Sequence, residues 1–214
     1  MSGTDVIEPA AWGVWLGERA REQVRQVLSV DVDAERMMSV LHELRPRFES
    51  GAGVRLSVTD FVVRATTLMA LENPELLAGL STSNDEAGLD IGLVVQAEDG
   101  QPGVVTIEDA QSRTLVQLAG EREEARRRSV DSEGSGALLV SNLGPYGVDH
   151  FVPGAGPTPA PIIGVGRLRP REPNGSASMW VSLSVDARYV SMLTASRALS
   201  RMRILLESPT LLVV

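Results

Sequence analysis

Apolar positions change rhythm several times along the chain, and each change predicts an element. Val24 to Asp33 (VRQVLSVDVD) is rich in β-branched residues with partial alternation, which predicts a strand. Asp33 is placed to cap a helix from Ala34 to about Arg45, with Met37, Val40, Leu41 and Leu44 on one face and Pro46 as its stop. Gly51 to Gly53 reads as a turn. Ser57 or Thr59 then opens the clearest helix: Val58, Phe61, Val62, Ala65, Leu68 and Met69 recur at helical spacing until Asn73-Pro74.

From there the period shortens. Leu89 to Ala97 and Gly103 to Ile107, split by Asp99-Gly100, predict strand, turn and strand. Ser112 to Arg128 reads as a helix that becomes charged towards its end. Ala137 to Val140, Pro161 to Val165 and Ser178 to Val185 read as strands separated by Gly- and Pro-rich loops, of which Gly154 to Pro161 is the richest in proline. A last helix is expected from Ser191 to Glu207, burying Ala195, Leu199, Met202 and Leu206. Strands interleaved with helices predict a mixed α/β domain, and no linker-like stretch divides it.

Composition narrows the chemistry. A chain of 214 residues, 43% hydrophobic, is long enough to bury a sizeable core. The net charge of -8 argues against a nucleic-acid surface, which draws its affinity from many Lys and Arg contacts to phosphate. With no cysteine and two histidines, His42 and His150, the sequence offers no disulfide, no thiolate nucleophile and no Cys- or His-rich metal site. Met1 to Ala11 lacks a basic-then-apolar leader, and no apolar run approaches the roughly 20 residues that span a bilayer. The expectation is a cytoplasmic protein without membrane, nucleic-acid or metal partners.

Four segments, in order, resemble the catalytic domain of 2-oxoacid dehydrogenase acyltransferases, relatives of chloramphenicol acetyltransferase. They are LSVTDFVVRATTLMALENPEL (Leu56 to Leu76), DIGLVVQAEDG (Asp90 to Gly100), LLVSNLGPYGVDHFVPG (Leu138 to Gly154), and IIGVGRLRPREP with VSLSVDARYVSM (Ile162 to Met192). The likeness runs from about residue 24 to 214, so 1–214 reads as one catalytic domain with 1–23 as an N-terminal extension, and no lipoyl or subunit-binding domain is expected before it. The resemblance implies a two-layer α/β sandwich, a mixed sheet with helices packed on one face. It also implies a homotrimer with active sites between subunits, and coenzyme A or acetyl-CoA as co-substrate.

Acyl transfer from a thioester needs a base for the attacking group and a donor for the oxyanion. In the family these are the histidine of an Asp-His-Arg signature and the serine of the Ser-Asn-Leu-Gly block. Ser141 stands at the donor position, although Ser-Asn-Leu-Gly is also ordinary turn chemistry. Asn142 and Gly144 of the same block, with Arg126 of the basic triplet Arg126 to Arg128, are candidate coenzyme A contacts; the triplet also reads as a solvated helix face. At the base position stands Ala187, between Asp186 and Arg188, which read as an ion pair fixing a strand end. Ser191 and Met192 replace the signature's Asp/Asn and Gly. Ala187 is either a natural loss or an engineered knockout. His150 is a candidate relocated base or, more simply, a loop histidine bonded to backbone, and His42 reads as structural. Lacking a lipoyl arm, the chain is expected to be a stand-alone acyl-CoA-dependent O-acetyltransferase acting on a small-molecule or carrier-bound hydroxyl, by analogy in a pathway such as tetronate polyketide tailoring. The rival reading is an inactive scaffold or a repurposed pocket. The apolar tail Leu211 to Val214 is free to bury on its own subunit or on a neighbour.

Overall fold

The computed structural model describes residues 23–80, 88–96, 102–127, 136–154, 158–171 and 176–213. Among them seven strands, β1 (Arg25–Asp33), β2 (Ile91–Gln96), β3 (Pro102–Ile107), β4 (Leu138–Asn142), β5 (Ile162–Val165), β6 (Arg169–Arg171) and β7 (Ser176–Asp186), form one mixed sheet. Its order is β1-β7-β5-β4-β2-β3, with β6 on the same side of β7 as β5. β2, β4 and β5 run parallel, while β7 is antiparallel to β1, β5 and β6.

Side chains alternate between the two faces of a strand, so the register sorts them. Leu93, Val140, Ile163, Leu183 and Leu28 face one another across five strands. That row belongs to the main core, with Met37 and Leu41 of α1 (Glu35–Ala52), Phe61, Val62, Ala65 and Met69 of α2 (Val58–Glu72), Leu115 and Leu118 of α3 (Leu115–Arg127), and Ala195, Leu199, Met202 and Leu206 of α4 (Met192–Glu207). The helices therefore cover one face. One residue further along each strand, the row Val94, Ser141, Gly164, Ser182 and Ser29 points to the other face.

Several expected boundaries move, each for a local reason. Proline does not end α1: the helix runs on through Pro46 to Ala52. The carbonyl left without a donor, that of His42, lies on the exposed side with Pro46, where solvent can satisfy it. Gly51 is the last turn of that helix and Gly53 (φ 67°) is its left-handed cap. Asp33 is not the cap residue, which is Ala34; as the last residue of β1 its carboxylate accepts from Glu35 N–H at 3.1 Å. Helix α3 starts at Leu115 rather than Ser112, because Ala110 to Ser112 forms a separate 3-10 turn and Thr114 caps the helix. Gln117 N–H donates to Thr114 Oγ1 (3.3 Å), and Thr114 N–H donates back to Gln117 Oε1 (2.9 Å). β7 extends two residues earlier and one later than expected, and β6 was not foreseen. β4 runs to Asn142, so Ser141 sits on a strand and not in a turn. Ser191 is the N-cap of α4, its hydroxyl accepting from Thr194 N–H at 3.1 Å. Of the apolar tail, Leu212 is buried in its own core. His42 is exposed on α1. The Asp99-Gly100 turn, Arg128 and the side chain of Arg126 lie outside the described residues.

Candidate active site

Where β2 and β4 end side by side, their carboxyl ends open onto a cavity of about 440 Å³ lined by Ser141, Asn142, Leu143, Val95, Thr59 and Arg122 among others. The crevice outside the carboxyl ends of parallel strands is the usual ligand position in open α/β sheets.

The Ser-Asn-Leu-Gly segment is fixed there by bonds in three directions. Asn142 Nδ2 donates to Thr59 Oγ1 at the start of α2 (3.0 Å), and Asn142 Oδ1 accepts from Gly144 N–H (2.9 Å). Leu143 N–H donates to Val165 O (3.0 Å). Gly144 must be glycine because a Cβ would lie 2.8 Å from Gly166 O and 2.9 Å from Arg167 Cα. Asn142 and Gly144 are therefore the scaffold that holds Ser141 at the cavity wall.

The cavity's other side is a buried ion pair that sequence reasoning missed. Asp60 is 1% exposed and takes Arg122 Nε at 2.7 Å and Nη2 at 3.3 Å. Ser57 adds its backbone N–H (2.7 Å) and its hydroxyl (2.9 Å) to the same carboxylate. The signal was present: Ser57 and Asp60 have the spacing of a cap residue and an acceptor at its third position.

Ala187 lies far from this wall in the same chain. Ser141 pairs with Gly164, and Gly164 with Ser182. Ala187 stands five residues beyond Ser182, towards the amino ends of β4 and β5. At about 3.3 Å per residue, that is roughly 16 Å along the strands, with two strand spacings across. One chain thus carries Ser141 and Ala187 at opposite ends of its sheet. The backbone around Ala187 is tightly held: its N–H donates to Val24 O at 2.7 Å, and Asp186 O accepts from both Tyr189 and Val190 N–H. Asp186 and Arg188 form the expected pair, with Nη2 2.6 Å from Oδ2 and Nε 3.0 Å from Oδ1.

Hydrogen bonding from Arg188 holds the Asp186 carboxyl below the usual carboxylate range, against the upward push of burial. A carboxyl depressed in the folded state adds stability that is fully present above its unfolded value of about 3.9. That stability is lost as pH falls through the lower folded value. Arg188→Gln is therefore expected to shift the acid-unfolding midpoint to higher pH, read by tryptophan fluorescence; an unmoved midpoint would show that the pair does not set acid stability.

His150 is not on the cavity wall among the described residues. Its ring meets side-chain hydroxyls, those of Ser29 and Ser182, rather than the backbone. No group of acidic and histidine side chains suited to a metal ion occurs among the described residues, and no helix there is long and apolar enough to cross a membrane.

A mixed sheet in this order, helices on one face and a cavity at the strand ends, is the fold of acyltransferase cores. The structure is similar to the dihydrolipoamide acetyltransferase of Azotobacter vinelandii (TM-score 0.81, 22% identity, 94% of this chain and 88% of that one), which was investigated for the catalytic role of one serine, one histidine and one asparagine. It also resembles chloramphenicol acetyltransferase (TM-score 0.57, 14% identity, 96% of this chain and 100% of that one). Residues 16–214 match the family of 2-oxoacid dehydrogenases acyltransferase (catalytic domain), and the chain belongs to that family. Relatives include the dihydrolipoyllysine-residue acetyltransferase component of the pyruvate dehydrogenase complex from Rickettsia felis (24% identical, 87% of this chain, 48% of the relative). Another is that of the acetoin cleaving system from Bacillus subtilis (26% identical, 92% and 53%). The chain spans about half the length of these curated relatives.

Proposed function

We propose that this chain is the acyl-transfer domain of a coenzyme A-linked acyltransferase, working between copies of itself, with Ser141 as the oxyanion donor and turnover depressed by Ala187. The observation that carries the reading is Ser141 on the cavity wall at the carboxyl ends of β2 and β4, braced by Asn142 and Gly144. The separation of Ser141 from Ala187 within one chain supports a site that is completed by a second copy, and a homotrimer is the assembly that the family resemblance suggests.

The acceptor we favour is a thiol of the dihydrolipoyl kind, the group in the names of the relatives, over the small-molecule hydroxyl of the sequence reading. Chemistry supports this choice. A thiol is partly ionised near neutral pH and strongly nucleophilic, whereas an alcohol needs its proton removed by a base during attack. A site with alanine at the base position therefore retains more activity towards a thiol. The acceptor thiol gives its proton to solvent and its thiolate adds to the thioester carbonyl. Ser141 O–H donates a hydrogen bond to the oxyanion, and collapse expels coenzyme A as its thiolate, which takes a proton back from solvent. Arg122 is engaged by Asp60, so its role here is to hold the cavity wall.

Acetyl transfer from acetyl-CoA to free dihydrolipoamide, followed by chromatographic separation of S-acetyldihydrolipoamide and free coenzyme A, is the test, because one thioester replaces another. Ser141→Ala is expected to lower kcat by about a hundredfold, in keeping with about 3 kcal/mol for one oxyanion donor, with KM for acetyl-CoA little changed. Absence of acetyl-CoA binding, in the chain as it stands and in Ala187→His alike, would overturn the reading in favour of a scaffold.

A further inference from the structure

Outside the cavity, the helix-free face of the sheet carries a second meeting of reactive side chains. Ser29 of β1 and Ser182 of β7 are cross-strand partners with hydroxyl oxygens 2.9 Å apart. His150 reaches over them, its Nε2 2.9 Å from Ser29 Oγ and 3.0 Å from Ser182 Oγ. The imidazole leans against Trp180, with ring centroids 5.3 Å apart. Ser182 is 1% exposed, while Ser29 and His150 both face solvent.

This cluster is separate from the Ser141 cavity. Ser141 and Ser182 lie in one cross-strand row, with Gly164 between them. The space above Gly164 is filled: a Cβ there would lie 2.7 Å from Pro153 Cγ and 3.0 Å from Phe151 Cζ. The segment that carries His150 thus walls it off from Ser141.

A serine hydroxyl becomes a useful nucleophile when a base stands within hydrogen-bond reach of it. With the imidazole proton on Nδ1, Nε2 has a single acceptor site. Either hydroxyl can then donate to Nε2 while the other donates to it, since all three atoms lie within 3.0 Å of one another. Of the two, Ser29 is the exposed one and so the one that an acyl donor can reach, with Ser182 donating to Ser29 Oγ and Ser29 to Nε2. We propose that Ser29 is an acyl-accepting nucleophile with His150 as its base, taking acyl groups from activated esters and thioesters. Ser29 Oγ forms the new bond to the acyl carbon as its proton passes to Nε2. The bond from that carbon to the aryl oxygen or the thiolate sulfur breaks, and the leaving group takes the proton from Nε2. Ser182 is a positioning residue that orients Ser29.

p-Nitrophenyl acetate and acetyl-CoA are the probes, with nitrophenol release and peptide mass as the readouts. Trypsin cuts after Arg25 and Arg36, so the fragment Gln26 to Arg36 holds Ser29 as its one hydroxyl side chain. The expected result is one acetyl group on that fragment, absent in Ser29→Ala, and acquired about a hundredfold more slowly in His150→Gln, the loss expected of a missing base. Because a thiol depends less on a base, Ser29→Cys is expected to restore labelling in the His150→Gln background, which also shows that the face is folded and open. An unlabelled fragment in the unaltered chain, equal rates with and without His150, or no labelling of Ser29→Cys each overturns the proposal.

Discussion

Ala187→His is expected to raise the rate of acetyl transfer from acetyl-CoA by about 10²–10⁴-fold, the range that a positioned general base contributes. The backbone for it is already in place. Ala187 is held by its N–H bond to Val24 O, and its neighbour Asp186 is anchored in the sheet by Arg188. Residue 187 is only partly buried, so a larger side chain there has room at the end of β7. The gain should be larger with an alcohol acceptor than with a thiol, because the alcohol depends on the base for its whole activation. It should also require Ser141: in the background of Ser141→Ala, introducing histidine recovers less, since base and oxyanion donor act on one transition state and do not add independently. Ser191 limits the gain from above. Its hydroxyl caps α4 through Thr194 and is not free to orient an imidazole. Rates for the four chains of this cycle, each with acetyl-CoA and dihydrolipoamide, are the measurement. If Ala187→His is as slow as the unaltered chain while still binding acetyl-CoA, the base is not what the site lacks.

Helix faces were the most legible part of the chain. Each places its apolar side chains at a regular spacing, and the positions read from Phe61 to Met69 and from Ala195 to Leu206 are those that pack on the sheet. Strand alternation was legible as well, because a slip of one residue would carry Leu183 and Ser182 to the wrong faces. Element ends were less so. Pro46 misled because a rule about backbone donors is relaxed where the orphaned carbonyl faces water. The three-residue β6 has too few side chains to show a period, and it is held by pairing with the far part of β7. At the site, Ser141 and Ala187 were found through an ordered set of motifs, a pattern local in sequence. Asp60 with Arg122 joins residues 62 positions apart, and the Ser29, Ser182 and His150 cluster joins three separate segments. Neither is written in any window of the sequence; both depend on which strands and helices become neighbours.

The Asp60–Arg122 pair is where a single substitution should cost the most stability. Arg122 is 11% exposed at its side chain and gives Asp60 two hydrogen bonds and, among the described residues, its one salt-bridged countercharge, while Nη2 also donates to Arg55 O at 2.6 Å. Arg122→Met keeps most of the aliphatic stem but leaves a buried carboxylate supported by Ser57 alone. Breaking one partner of a buried pair costs about 3–5 kcal/mol, far more than the pair contributes over a well-packed neutral replacement. Burial already pushes the Asp60 carboxyl up, against the pull of Arg122 and Ser57. For an acid raised in the folded state, the penalty falls on the ionised form: it is present at high pH and is relieved as pH falls and the folded carboxyl takes a proton. Loss of Arg122 raises that carboxyl further, so the deficit of Arg122→Met should be greatest at neutral pH and shrink on acidification. Adding Asp60→Asn to Arg122→Met should recover part of the loss, since the neutral amide carries no uncompensated charge. Urea unfolding of the single and double variants at pH 7 and about pH 5 reads both effects. A deficit that stays the same across that interval would mean that Arg122 acts through packing on the cavity wall and not through its charge.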